Sequence, residues 1–198
     1  MRKTSICFRG AKGYNWYQAY KEKGKDAFRK HVPPTVFNWD EPKVMRKRAF
    51  FDLAVEQDLL GRLTFELADD IVPKTVENFL NLCNGSGKFS YKGTKFHDIR
   101  KGFTIMGGDV EMRNGKGGHS SFQDRYFLDE NFIIPCMHRG LISMASIGVN
   151  SNNSQFYISL DAAPHLLGRS VVFGRVIGGD DIIKTIENVS ISSLLKLE

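Results

Sequence analysis

Cysteine is scarce in this chain and poorly placed for a shared role. Cys7, Cys83 and Cys136 are odd in number and far apart, with no CxxC pair and no histidine at metal-ligand spacing. That excludes a disulfide framework and a zinc site built on them, and implies reduced thiols. Long apolar runs are also missing. No stretch approaches the ~18 residues of a membrane-crossing helix, and the start, MRKTSICFRGAKGYNW, lacks the apolar core of about 7–15 residues that a secretory signal needs. An intracellular protein that does not span a membrane is expected. Acidic residues are nearly absent from the first part. Residues 1–48 hold 13 Lys and Arg against four acids (Glu22, Asp26, Asp40, Glu41), a net +9, while the rest holds 15 basic and 18 acidic side chains, a net −3, together the +6 of the whole.

What is present in residues 1–48 is aromatic as well as basic: Phe8, Tyr14, Trp16, Tyr17, Tyr20, Phe28, Phe37 and Trp39. Disordered tails are usually poor in such residues. Trp16 to His31 is expected to form a short helix, with Tyr17, Tyr20 and Phe28 as apolar contacts and Pro33 and Pro34 ending it. Residues 1–48 therefore read as a basic aromatic extension that anchors the chain to an acidic surface, either a protein of a large complex or RNA. Residues 49–198 read as the folded domain.

From Ala49 the texture becomes short β-branched and aromatic segments separated by Gly, Asn and Asp. AFFDLAVE and LLGRLTFELA read as a hairpin turning around Gln57 and Asp58; FTIMGGDV, GLISMAS, SQFYISL and SVVFGRVI read as further strands. Two helices interrupt them. In VPKTVENFLNLCNG the residues Val76, Phe79, Leu80 and Cys83 recur at helical spacing, with Pro73 at the start and Gly85 past the end. In DDIIKTIENV, Asp180 and Asp181 suit the positive end of the helix dipole. The pattern predicts a mainly β fold, a closed barrel capped by two helices, which leaves no free sheet edge.

The segments FFDLAV, GRLTFELADDIVPKTVENFLNLC, YKGTKFH, GGD, NGKGG, DENF, GLISMA, NSQFYISL and VVFGRVIGG occur in the order and spacing of the cyclophilin family, which residues 49–189 closely resemble. The resemblance implies an eight-stranded antiparallel cyclophilin-like barrel with a helix at each mouth and a proline-peptide groove on its outer surface. It also implies rotation about X-Pro amides without cofactor or metal. The barrier, about 20 kcal/mol, comes from the partial double bond. The family lowers it with an arginine that donates toward the proline nitrogen.

That arginine should follow the histidine of the FH motif, but the chain reads Phe96, His97, Asp98. An ionised carboxylate only accepts hydrogen bonds, so Asp98 removes the donor and reverses its charge. Other groove positions implied by the resemblance are mixed. Phe103, Ala145, Gln155 and Leu166 match. Thr104 stands at a methionine, Met106 at a glutamine, Ser146 and Ile147 at an asparagine and an alanine, Tyr157 at a phenylalanine, His165 at a tryptophan and Ser170 at a histidine. Gly115 lies in NGKGG, which reads as a turn-rich loop and not as a phosphate cradle, since no Lys-Ser/Thr and helix follow. Arg100, two residues from Asp98 on one strand face, either pairs with it or reaches toward the groove as a substitute. His97 reads as a barrel histidine, because the reaction transfers no proton; His165 either stacks on a peptide or caps the rim. After Val189 only SISSLLKLE remains, so Leu194, Leu195 and Leu197 are expected to supply a shortened last strand.

These readings predict a scaffold subunit of a large assembly with weak or absent isomerase activity, with an active isomerase on a bound partner and an RNA-associated subunit as alternatives. Partners are expected through residues 1–48 and the groove. Cyclophilin-like proteins occur in spliceosomes, mitochondria and ciliary axonemes, and SQFYISLDAAPHL is similar to those of cilia.

Overall fold

Alternation sets the architecture. In the computed structural model, which describes residues 37–40, 42, 44–55, 58–188 and 195–197, strand β1 (Arg48–Val55) buries Ala49, Phe51 and Leu53 while exposing Arg48 and Phe50. It pairs antiparallel with β2 (Asp58–Leu67), in which Leu63, Phe65 and Leu67 are fully buried. Of the expected turn at Gln57 and Asp58, Gln57 lies outside the described residues, as does the expected helix at residues 16–31, while Asp58 opens β2 opposite Val55. Further strands are β3 (Asp98–Arg100), β4 (Thr104–Gly107), β5 (Leu141–Met144), β6 (Phe156–Ser159), β7 (Val172–Gly178) and β8 (Leu195–Leu197). They form one eight-stranded antiparallel sheet in the order β3-β4-β6-β5-β7-β2-β1-β8.

The strands curl into the mainly β, cyclophilin-like architecture expected from the sequence. Among the described residues no pairing joins β3 to β8. The last strand is short, as expected, and meets β1 only at Leu53, Ala54 and Val55.

Helix α1 (Pro73–Asn84) begins on Pro73 and ends at Gly85, whose φ of 62° lies in the left-handed region favoured at helix ends. Its buried face differs from the expected one. Val76 and Phe79 are buried as read, but Leu80 and Cys83 are only partly so; Leu82, Thr75 and Asn78 take the interior. Asn78 is buried because it is satisfied: its amide donates to the Asn153 carbonyl (2.9 Å) and its oxygen accepts from the Ser121 N–H (2.7 Å). Helix α2 (Asp180–Asn188) buries Ile182, Ile183 and Ile186 and carries Asp180 and Asp181 in its first turn. Between sheet and helices, Phe51, Phe65, Phe79, Tyr91, Phe156 and Phe173 form one aromatic core with ring centroids 5.0–6.3 Å apart. Cys83 and Cys136 are free thiols.

The packed unit begins at Phe37, ahead of the strand texture. Trp39 is buried and Phe37 packs edge-on to it at 5.1 Å. The Arg46 guanidinium lies over both rings and donates to both Asp70 carboxylate oxygens.

Candidate functional site

Register places the site. On one face of the sheet Ile99, Ile105, Ile158 and Ile142 lie in line across β3, β4, β6 and β5 and point into the core. The neighbouring row, Asp98, Met106, Tyr157 and Ser143, occupies the same four strands, and side chains one residue along a strand face the other way. The outer face therefore carries Asp98, Met106 and Tyr157 together, with Arg100 and Thr104 opposite each other beside them.

Asp98 is committed to Arg100, whose Nε donates to Asp98 Oδ2 at 2.7 Å; the arginine side chain is 61% exposed. The structure thus pairs Arg100 with Asp98. Phe103 and His165 come from distant parts of the chain to lie 5.2 Å apart with rings tilted by 32°. His165 and Leu166 sit in the 3-10 turn Pro164–Leu166, and both are half-buried. Burial, aided by the nearby Arg169 charge, pushes the His165 imidazole down to about 4, so it is a neutral ring at pH 7.

The loop that carries Gly115 is held from below by Asp109. This fully buried carboxylate accepts from the backbone N–H groups of Glu111, Met112, Asn114, Gly115 and Gly117 at 2.9–3.1 Å. Burial pushes its pKa up, but the N–H groups of Met112, Gly117, Asn114 and Glu111 outweigh that and hold it at about 2. A folded value below the ordinary 3.8 means stability present above pH ~4 and lost as pH falls through ~2. Denaturant titrations between pH 5 and 2 should show wild type losing about 2 kcal/mol that Asp109→Asn lacks from the outset.

Gln155 clamps the loop from the other side, donating to the carbonyls of Gly115 (3.0 Å) and Gly117 (2.7 Å). Gly115 itself has φ 86°, and a Cβ there would lie 2.5 Å from His97 Cδ2. His97 is thus packed under the loop, its pKa lowered chiefly by burial. Gly115→Ala should cost roughly 2 kcal/mol in urea unfolding from strain and this clash, since left-handed φ already costs 1–3 for other residues.

Three positions that the resemblance assigns to a groove are buried in the structure. Thr104, Tyr157 and Ser170 are buried, and the Tyr157 hydroxyl points at the Cys136 thiol (4.0 Å). Burial drives the Tyr157 pKa far up, with the Cys136 charge adding to it and hydrogen bonding from Ser170 and Ser143 opposing it. The Tyr157 hydroxyl is thereby housed beside a buried thiol. Cys136 and Ser143 were not legible as site residues; the only signal was the tyrosine, whose hydroxyl needed a partner. Ala145 and Ser146 line the adjoining rim: the Ala145 N–H donates to the Gln155 carbonyl at 3.0 Å and Ser146 Oγ to the Arg169 carbonyl at 3.4 Å. A separate cleft of about 370 Å³, between Asn81, Lys88, Phe89, His119 and Phe122, contains none of these residues.

A family model described as cyclophilin type peptidyl-prolyl cis-trans isomerase matches residues 50–196. The chain belongs to the cyclophilin family. Among curated proteins, NK-tumor recognition protein of Mus musculus and of Homo sapiens are each 45% identical to this chain over 152 residues, covering 73% of the chain but 10% of those proteins' own length. The family-model match begins at Phe50, within β1. No helix among the described residues is long and apolar enough to cross a membrane.

Proposed function

We propose that this cyclophilin is a binding subunit with weak or absent isomerase activity. Its groove holds proline-containing segments by burial against Phe103, His165, Leu166 and Met106. The observation that carries this reading is Asp98, at the family's arginine position, already engaged by Arg100 at 2.7 Å. Holding cis and trans forms equally well gives no acceleration, because only stronger binding of the twisted amide lowers the barrier. Magnetisation-exchange NMR on an Ala-Pro tetrapeptide tests it: the expected result is line broadening that reports binding, with no added cis-trans exchange. Catalysed exchange at a rate well above the peptide's own would sink the proposal.

The +9 charge of residues 1–48 supports a second element, recruitment to an acidic partner through that segment. An RNA-associated role makes a distinct forecast. Affinity for a single-stranded RNA should fall steeply between 50 and 200 mM salt, by about 300-fold if six phosphates are contacted, and vanish on deleting residues 1–36. Retained protein partners with no RNA affinity at low salt would assign the segment to a protein surface in a large complex.

A further inference from the structure

The turn that delivers Phe103 to the groove has little to hold it in place by itself. Residues Arg100 to Phe103 close on one bond, the Phe103 N–H donating to the Arg100 carbonyl at 2.9 Å, and Gly102 takes φ 68°. Arg100, Lys101 and Gly102 are exposed, and a Cβ on Gly102 would touch nothing within 4 Å. Its outer anchors come instead from the last turn of α2. The Gly102 N–H donates to Glu187 Oε1 at 2.9 Å, and the Lys101 ammonium to Asn188 Oδ1 at 2.8 Å.

The second Glu187 oxygen serves a different segment. It accepts from an Arg139 guanidinium nitrogen at 3.0 Å, and the same nitrogen donates to the Leu160 carbonyl at 3.1 Å. The Leu160 N–H, in turn, donates to the carbonyl of Phe103 at 2.8 Å. One carboxylate thus ties together the two backbone segments that flank Phe103, and its side chain is only 16% exposed. Burial raises its pKa, but the Gly102 N–H and Arg139 outweigh that, leaving it below the ordinary value and charged at neutral pH. The helix itself is fixed by Ile182, Ile183 and Ile186 in the core, so the anchor is stiff.

We infer that Glu187 is a positioning residue for the groove: from the far helix it sets the Arg100–Phe103 turn and thereby the packing of the Phe103 ring on His165. The inference rests on reading that ring pair as part of the proline-peptide groove, and the two can be tested apart. In the full chain, Glu187→Ala should accelerate hydrogen exchange of the Gly102 amide by about tenfold, the worth of one hydrogen bond to a charged acceptor. The same variant should shift the ring resonances of Phe103 and His165 and weaken the NOE between them, with amide protection in β1 and β2 unchanged. Affinity for an Ala-Pro tetrapeptide should fall severalfold in parallel.

Glu187→Gln keeps the size and one acceptor oxygen but not the charge facing Arg139, so it should give smaller shifts of the same sign. It carries the test alone if the alanine variant does not fold. Unchanged Gly102 exchange and unmoved Phe103 and His165 resonances in a folded variant overturn the inference. Moved resonances in a protein whose wild type binds no proline peptide uphold the positioning role and overturn the groove reading instead.

Discussion

Asp98→Arg is expected to accelerate cis-trans exchange of an Ala-Pro peptide at least about tenfold over wild type. Removing one preorganised donor from an enzyme site costs roughly 10²–10³ in rate, and a donor restored to a groove not tuned for it should recover part of that. The geometry is favourable. Position 98 lies opposite Met106 on the outer face, one strand from Tyr157, and the Asp98 side chain is 27% exposed, which leaves room for a longer group. The substitution also releases Arg100 from its 2.7 Å bond. NMR exchange spectroscopy at equal protein concentration is the measurement. If wild type already matches the variant, Asp98 is not a disabling residue, and Arg100→Ala becomes the informative change. If neither protein catalyses but both bind peptide, the loss has spread beyond one side chain, to Met106 and Ser170 in place of the family's glutamine and histidine.

Arg46→Ala should lower stability by about 3–5 kcal/mol, the range for removing one partner from a buried ion pair. The Arg46 side chain is 2% exposed and Asp70 7%. The guanidinium makes 2.8 and 3.0 Å bonds to the two carboxylate oxygens, donates to the Trp39 carbonyl at 3.3 Å and lies within 5.4 Å of the Phe37 and Trp39 ring centres. Across the indole, Arg175 packs on Trp39 at 5.3 Å while bonding Glu66 and Asp40. Truncating Arg46 therefore takes two charged hydrogen bonds from the nearly buried Asp70 carboxylate and loosens an aromatic pair at once. At about 2–4 °C per kcal/mol for a domain of this size, the melting temperature should drop on the order of 10 °C, followed by circular dichroism. A loss under about 1 kcal/mol would mean that Phe37 to Lys47 hardly supports the fold and that the domain starts, energetically, at Ala49.

Much of the fold was readable because it rests on local pattern. Short β-branched and aromatic segments marked β1, β2 and β7; Pro73 and Gly85 bracketed α1. Legibility stopped where a residue's fate depends on a distant partner. Asn78 sits on the buried face of α1 only because Asn153 and Ser121 satisfy its amide, and helical spacing of apolar residues put Leu80 and Cys83 there instead. The resemblance singled out Phe103 and His165, whose rings meet in the structure, yet gave no sign of the Glu187 carboxylate that ties down the turn before Phe103, since the two are joined through a contact spanning 85 residues.

By itself the sequence determined the family, the antiparallel strands and both helices. Those follow from residue identity and short-range periodicity, which act within a few residues of the chain. Only the tertiary structure decided that Arg100 is spent on Asp98, that Tyr157 reaches into a buried thiol and hydroxyl cluster, that Asp109 gathers a loop of N–H groups, and that Trp39 and Arg46 belong to the packed domain. Each of these is a polar group or ring whose cost of burial is met by a partner from another element, and partner identity is set by register and packing rather than by the local string.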